Sequence, residues 1–268
     1  MKKIVDRTIL SHVLSVEPYW LLLDGHDKNI YALESYLDAS QAISFVLMTG
    51  PPGSGVTSAM ISMFRKDPRR SIWVAPRVIF EKASFVQFLT ASLHLSSPDF
   101  ADRSVPEYLL QVIALRKTKA IFIDDIDAFS SSSSFIFETF EIINAIRGGV
   151  PCLKFVISIS SPQMLSAARK QLASIEHKVL YFTAVTAIEA DKLLRAYVKQ
   201  LNDKTGANIL VEGFPEDLIL SAGGNIAEVV AWSRLAYILT AFRSESVLFY
   251  SPIRTFSSLW RDIDELLF

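Results

Sequence analysis

Three glycines, a threonine and a pair of aspartates are the residues of this sequence whose types and spacing suit phosphate chemistry. Residues 50 to 58 read GPPGSGVTS. Gly50, Gly55 and Thr57 fit the phosphate-loop pattern of Gly, four residues, Gly, Lys, then Ser or Thr. Pro51, Pro52, Gly53 and Ser54 fill the interval, Ser58 follows, and Val56 stands where the lysine belongs. Amides of such a loop, freed by glycine, point at phosphate oxygens, and the helix that follows adds its dipole. Thr57 offers a hydroxyl to a magnesium ion. The plainer alternative is a Gly-Pro turn joining a strand to a helix.

Asp124 and Asp125 follow the apolar run AIFI, about seventy residues after the loop. A carboxylate at the carboxyl end of a strand can hold the magnesium shell, while a second acid orients the attacking water. Solvated acids capping a strand are the alternative. Ser160 and Ser161 end another apolar run, LKFVISI, where a hydroxyl can read a γ-phosphate, although serine before Pro162 also makes an ordinary turn. Asn225 closes AGGN and stands at the N-cap of a late helix, which needs no function. The four histidines (His12, His26, His94 and His177) lack metal-ligand spacing. Cys152 is the only cysteine, so a disulfide framework and a cysteine metal cluster are excluded, and a reducing, cytoplasmic setting fits.

Elements that must position these groups follow from the hydrophobic pattern. Short apolar runs at 43–49, 71–75, 120–123, 153–159 and 179–182 read as strands. Helical spacing occupies 58–66, 80–95, 105–115 and 135–147 between them. Strands alternating with helices predict an α/β fold, a parallel sheet sandwiched by helices. Residues 1–40 read as a helical N-terminal segment, 41–185 as the nucleotide-binding core and 186–268 as a helical lid with a C-terminal helix. After about residue 186 no further strand is expected, only helices at 187–202, 215–222, 225–242 and 256–267.

Composition narrows the classes. With 50% apolar residues and a mean hydropathy of +0.31, burial is ample and disorder is excluded. The chain is apolar enough that partner subunits are expected to cover some of its surface. No apolar run reaches the roughly 18 to 20 residues of a membrane helix, so no membrane partner is expected. The opening MKKIVDRTIL carries Asp6 and Arg7, which break a signal-peptide core. A net charge of −1 excludes a polycation that seeks nucleic acid with its whole surface, leaving a local basic face.

The segments GPPGSGVTS, IFIDDID, FVISISSPQM, FTAVTAIEADKLL and AGGNIAEVV, taken in this order, resemble the AAA+ ATPases of the TniB/TnsC/MuB transposition-regulator group. The similarity covers about residues 40 to 240, and AAA+ initiators of the origin-recognition type share the motif order. The resemblance implies a Walker A loop at 50–58 for ATP and Mg2+, and a Walker B pair at Asp124 and Asp125, with Asp124 and Thr57 on the metal. It implies Ser161 as sensor 1 and Asn225 at the start of the sensor 2 helix. It also implies a homo- or hetero-oligomer on double-stranded DNA that links a transposase to a target-selection protein, with Arg77, Lys82 and Ser84 on the duplex. Val56, the short acid Asp125 and the absence of arginine beside Ala227 and Glu228 depart from that pattern and imply impaired hydrolysis. The alternative is a pseudo-ATPase subunit that lends its fold to a hetero-oligomer and makes no DNA contact of its own. The stripe Phe256, Leu259, Trp260, Ile263, Leu266 and Leu267 predicts a last amphipathic helix, packed on the lid or docked on a neighbour.

Overall fold

The computed structural model describes residues 11, 13, 24–38, 42–75, 84–95, 105–129, 133–213 and 225–249. Five strands, β1 (Phe45–Thr49), β2 (Ser71–Val74), β3 (Ala120–Ile123), β4 (Lys154–Ser158) and β5 (His177–Tyr181), form a parallel sheet in the order β2-β3-β4-β1-β5. Their sequences are near-continuous apolar runs because both faces are covered. The alternation of side chains divides these runs into two cores. Phe45, Leu47, Ile121, Ile123, Phe155 and Ile157 turn to one face. There they meet α3 (Phe85–Ser92), α4 (Glu107–Leu115), α5 (Ser133–Gly149) and α6 (Pro162–Gln171). Val46, Met48, Phe122, Val156 and Leu180 turn to the other, under α1 (Asp24–Leu37) and α2 (Val56–Lys66). Burying a side chain such as Phe122 or Ile157 stabilises the sheet by about 1.5–3 kcal/mol.

Local signals set the helix ends. Ser84 caps α3 through a capping box with Gln87. Ser161 caps α6, with Pro162 in its first turn, where a missing N–H costs nothing. The helix α1 packs on the sheet and is part of its flank.

The chain divides into two compact units, one of residues 25–51 and 55–183, the other of 1–24, 52–54 and 184–268. The second contains α7 (Ala187–Thr205) and α8 (Ile226–Phe242) around a core that includes Leu194, Tyr197, Trp232 and Tyr237. Thr186 and Glu189 form the capping box of α7, and Gly206 ends it with a φ of 72° that favours glycine. The expectation that strands stop near 186 is corrected here. Two short strands, β6 (Leu210–Glu212) and β7 (Val247–Phe249), pair in parallel within this unit. Each spans three residues, too few for periodicity to register. The expected helices at 215–222 and 256–267 lie outside the described residues. Among the described residues, no helix is long and apolar enough to cross a membrane.

Candidate functional site

The strand order decides what meets at the carboxyl edge. Because β4 lies between β1 and β3, Met48 of the loop strand registers with Ser158, and Ile123 with Ile157. Ser158 therefore stands between the glycine loop and the acids. Its hydroxyl donates to Asp124 Oδ1 at 2.9 Å and accepts the amide of Asp125 at 2.5 Å. Thr57 Oγ1 donates to the same Asp124 oxygen at 3.0 Å. One carboxylate oxygen thus gathers two hydroxyls from two different elements. Carboxylate, hydroxyl and water oxygens are the donor set of Mg2+. Among the described residues no group of three His, Cys, Asp or Glu side chains can hold a metal by itself. A magnesium ion here would be held by Asp124 and Thr57, with water and ligand oxygens completing its shell, the usual division of labour for this ion.

The loop itself is shaped by two left-handed glycines, Gly53 at φ 75° and Gly55 at φ 87°. Gly55 precedes α2, whose first amides have no side-chain cap and remain available to a ligand. A Cβ on Gly55 would lie 3.2 Å from the His26 ring, which is buried and meets Phe182 edge-on at 5.1 Å. Val56 opens α2 and packs half-buried on the core beneath it, so the lysine position holds an apolar anchor. Ser54 is buried, and its hydroxyl has no hydrogen-bond partner among the described residues.

Asp125 adopts φ 50° and ψ 61°, a left-handed conformation that aspartate tolerates better than longer side chains. This accounts for an aspartate at the position. Burial raises its pKa above the usual carboxylate value, the charges of Asp127 and Asp124 raise it further, and a hydrogen bond with the Ser160 side chain opposes them. Asp127 has a separate task. Its Oδ2 accepts the amides of Ser160 and Ser161, fastening the end of β3 to the turn after β4.

The positions singled out from sequence are distributed as follows. Gly50, Gly55, Val56, Thr57, Asp124 and Asp125 come together at one edge of the sheet. Ser161 sits at the same edge, where its hydroxyl accepts the Met164 amide at 3.4 Å and caps α6. Asn225 belongs to the second unit and caps α8, accepting the Ala227 amide at 3.2 Å. Ser84 caps α3, and Arg77 and Lys82 lie outside the described residues. Ser158 was missed, and the tasks of Asp127 and His26 were not read from the sequence. Ser158 is hidden in an apolar run, and only the strand register exposes it.

No family model matches this sequence, and no curated protein does. Solved structures do match. Cdc6p from Pyrobaculum aerophilum is 14% identical, with a TM-score of 0.56 over 96% of this chain and 71% of that one. Aeropyrum pernix ORC1, solved in complex with DNA, is 14% identical with a TM-score of 0.58, over 95% and 68% of the two chains. Domain III of the Thermotoga maritima replication initiation protein DnaA gives 14% and 0.55, over 92% and 95%. The fold is that of the AAA+ ATPases. Ligands of open α/β sheets bind outside the carboxyl ends of the strands, which is the edge where these groups meet.

Proposed function

We propose that this chain is an AAA+ regulator of DNA transposition that binds ATP with Mg2+, oligomerises on duplex DNA and links a transposase to a target-selection protein, with impaired hydrolysis. The observation that carries the nucleotide reading is the convergence of Thr57 and Ser158 on Asp124 beside an intact glycine loop. In this reading the amides of Gly53 to Thr57 hold the phosphates, while Thr57 and Asp124 orient the metal. Asp125 and Ser161 face the γ-phosphate side, with Asp125 positioning water. Bound Mg2+ supplies charge neutralisation at the phosphates. At position 56 the chain adds none, and a lost charge-assisted contact costs about 1.5–3 kcal/mol. The transition state, where charge develops, suffers more than the ground state. Binding outlasting turnover is the expected result.

The DNA and assembly parts rest on the motif resemblance and on the neighbours. One neighbour, ORC1, was solved with DNA, and another structure of the same fold, at 17% identity and a TM-score of 0.51, addresses katanin self-assembly. Arg77, Lys82 and Ser84 are the residues proposed to meet the duplex phosphates. The departures around Val56 favour one other reading, a pseudo-ATPase subunit of a hetero-oligomer without its own DNA contact.

Isothermal titration with MgATP tests the site. The chain should bind in the micromolar to sub-millimolar range, and Val56→Lys should tighten binding about tenfold or more, as 1.4 kcal/mol per decade requires. Absence of binding by both proteins refutes the nucleotide reading. Negative-stain images with duplex DNA and ATP separate the alternatives, because filaments on DNA support the regulator and their absence supports the scaffold.

A further inference from the structure

The amino ends of the strands carry a second feature, independent of the glycine loop. A cavity of about 690 Å³ opens there, between the starts of β2, β3 and β4 and the last turn of α2. Its size falls within the range of small-molecule sites. Leu37, Met63 and Phe122 give it apolar walls. Lys66, Arg70, Lys117, Lys119 and Lys154 line it as cations, against the acids Glu34, Asp38 and Asp67. Cations outnumber acids by two.

Three details mark this as a built site rather than a packing gap. Lys117 holds φ 51°, a left-handed conformation rare for lysine, and Arg70 Nε fixes it by donating to the Lys117 carbonyl at 3.2 Å. Thr118 is 8% exposed, yet its hydroxyl is buried without a hydrogen-bond partner among the described residues. A buried hydroxyl with no partner costs about 1–3 kcal/mol. Lys154 is 6% exposed, and its ammonium is locked on the Ile43 carbonyl at 2.7 Å, so a cation is fixed in the wall. Two ion pairs of the lining are looser. Lys66 meets Glu34 at 2.9 Å with both side chains about half exposed, and Lys119 meets Asp67 at 3.7 Å. Pairs this exposed are weak and release their cations readily.

We propose that this cavity binds a small organic dianion carried on an apolar body, either a phosphate ester or a dicarboxylate. The apolar walls receive the body, and Lys117, Lys119 and Lys66 gather the charge at the mouth. The volume is that of a small molecule, which favours such a ligand over a protein segment.

Cys152 provides the reporter. It is the only cysteine of the chain, it is exposed, and it lines the cavity. A trifluoromethyl label on Cys152 of the full chain reports occupancy by fluorine NMR, whatever the glycine loop binds. The probes are phenyl phosphate and phthalate as dianions on an aromatic body, with inorganic phosphate as the bare anion and benzyl alcohol as the neutral body. A saturable shift with phenyl phosphate assigns phosphate esters, and one with phthalate assigns dicarboxylates. Either is expected to be tighter than both controls. Lys117→Gln with Lys119→Gln should weaken binding about tenfold or more, since each removes a charge-assisted contact. Both side chains are exposed, so folding should be kept, and Lys66→Gln provides an independent second variant. Arg169→Gln, an exposed charge on α6 outside the cavity, should change nothing. No saturable shift with either dianion up to about 10 mM, a range where Kd values near ~1 mM still register, overturns the proposal. So does equal binding of benzyl alcohol, or unchanged affinity in both lysine variants.

Discussion

Replacing Ser158 with alanine removes a side chain that joins β4, the neighbour of the glycine-loop strand, to the acids. Ser158 is 5% exposed, so water cannot readily replace its hydroxyl. The variant loses the hydrogen bond to Asp124 Oδ1 and leaves the Asp125 amide without its acceptor. A hydrogen bond to a charged group contributes about 1.5–3 kcal/mol, and an orphaned buried donor costs about 1–3 kcal/mol. The two overlap at one site, and Asp124 keeps the Thr57 hydroxyl, so a loss of about 2–3 kcal/mol is expected. For a unit of this size, each kcal/mol moves the melting temperature by about 2–4 °C. Thermal unfolding followed by circular dichroism should therefore show a fall of roughly 4–12 °C, whereas Ser158→Thr retains the hydroxyl and loses less. The MgATP affinity should fall in parallel, since Asp124 is then held by one partner. If Ser158→Ala melts within about 1 °C of the parent, the link through Ser158 is not what holds the acids, and the reasoning fails.

Two further outcomes follow from other contacts. Asp125 has a folded-state pKa above its ordinary value, so its contribution is complete below the usual carboxylate pKa and is lost as pH rises through the raised one. Asp125→Asn, which keeps a residue suited to the left-handed backbone, should remove that decline, and melting curves across acid pH that stay parallel for the two proteins would contradict it. In the second unit, Asn202 Oδ1 accepts from Ile209 N and the Tyr237 hydroxyl while its Nδ2 donates to the Ile209 carbonyl. Asn202→Ala should destabilise that unit by about 2–3 kcal/mol in urea, with Asn202→Asp intermediate, and a loss below about 0.5 kcal/mol would show the network is incidental.

Much of the first unit was legible because its strands are buried on both faces. FVLM, AIFI and LKFVIS read as continuous apolar runs, and glycines or acids punctuate their carboxyl ends. Strand order was not legible, because nothing local in LKFVISI says that it slots between the other two. Ser158 was hidden for the same reason, since a hydroxyl at the end of a core strand looks like a tolerated polar residue. Ser161 drew attention through its place at the end of an apolar run, and the Pro162 after it was the local sign of the helix cap that it makes. Asp127 was visible as a third acid, but its task depends on amides thirty-three residues later. The pair β6 and β7 escaped because three-residue strands carry no period. His26 offered only its residue type; the Gly55 approach that distinguishes it is a property of the folded chain.

The insertion of β4 also sets an order in time. Phe45 has two neighbours in the sheet, Phe155 and His177, both more than one hundred residues later in the chain. During synthesis at about 5–20 residues per second, β1 waits roughly 5 to 25 s for its strand partners. Over that interval FVLMT presents two unpaired edges, the condition that invites association with other chains. The strands β2 and β3 complete their pairing first, on the opposite half of the sheet. The loop that follows β1 therefore acquires its seat only when the last core strand has emerged, and a chain halted after β4 would still leave the β5 side of β1 open.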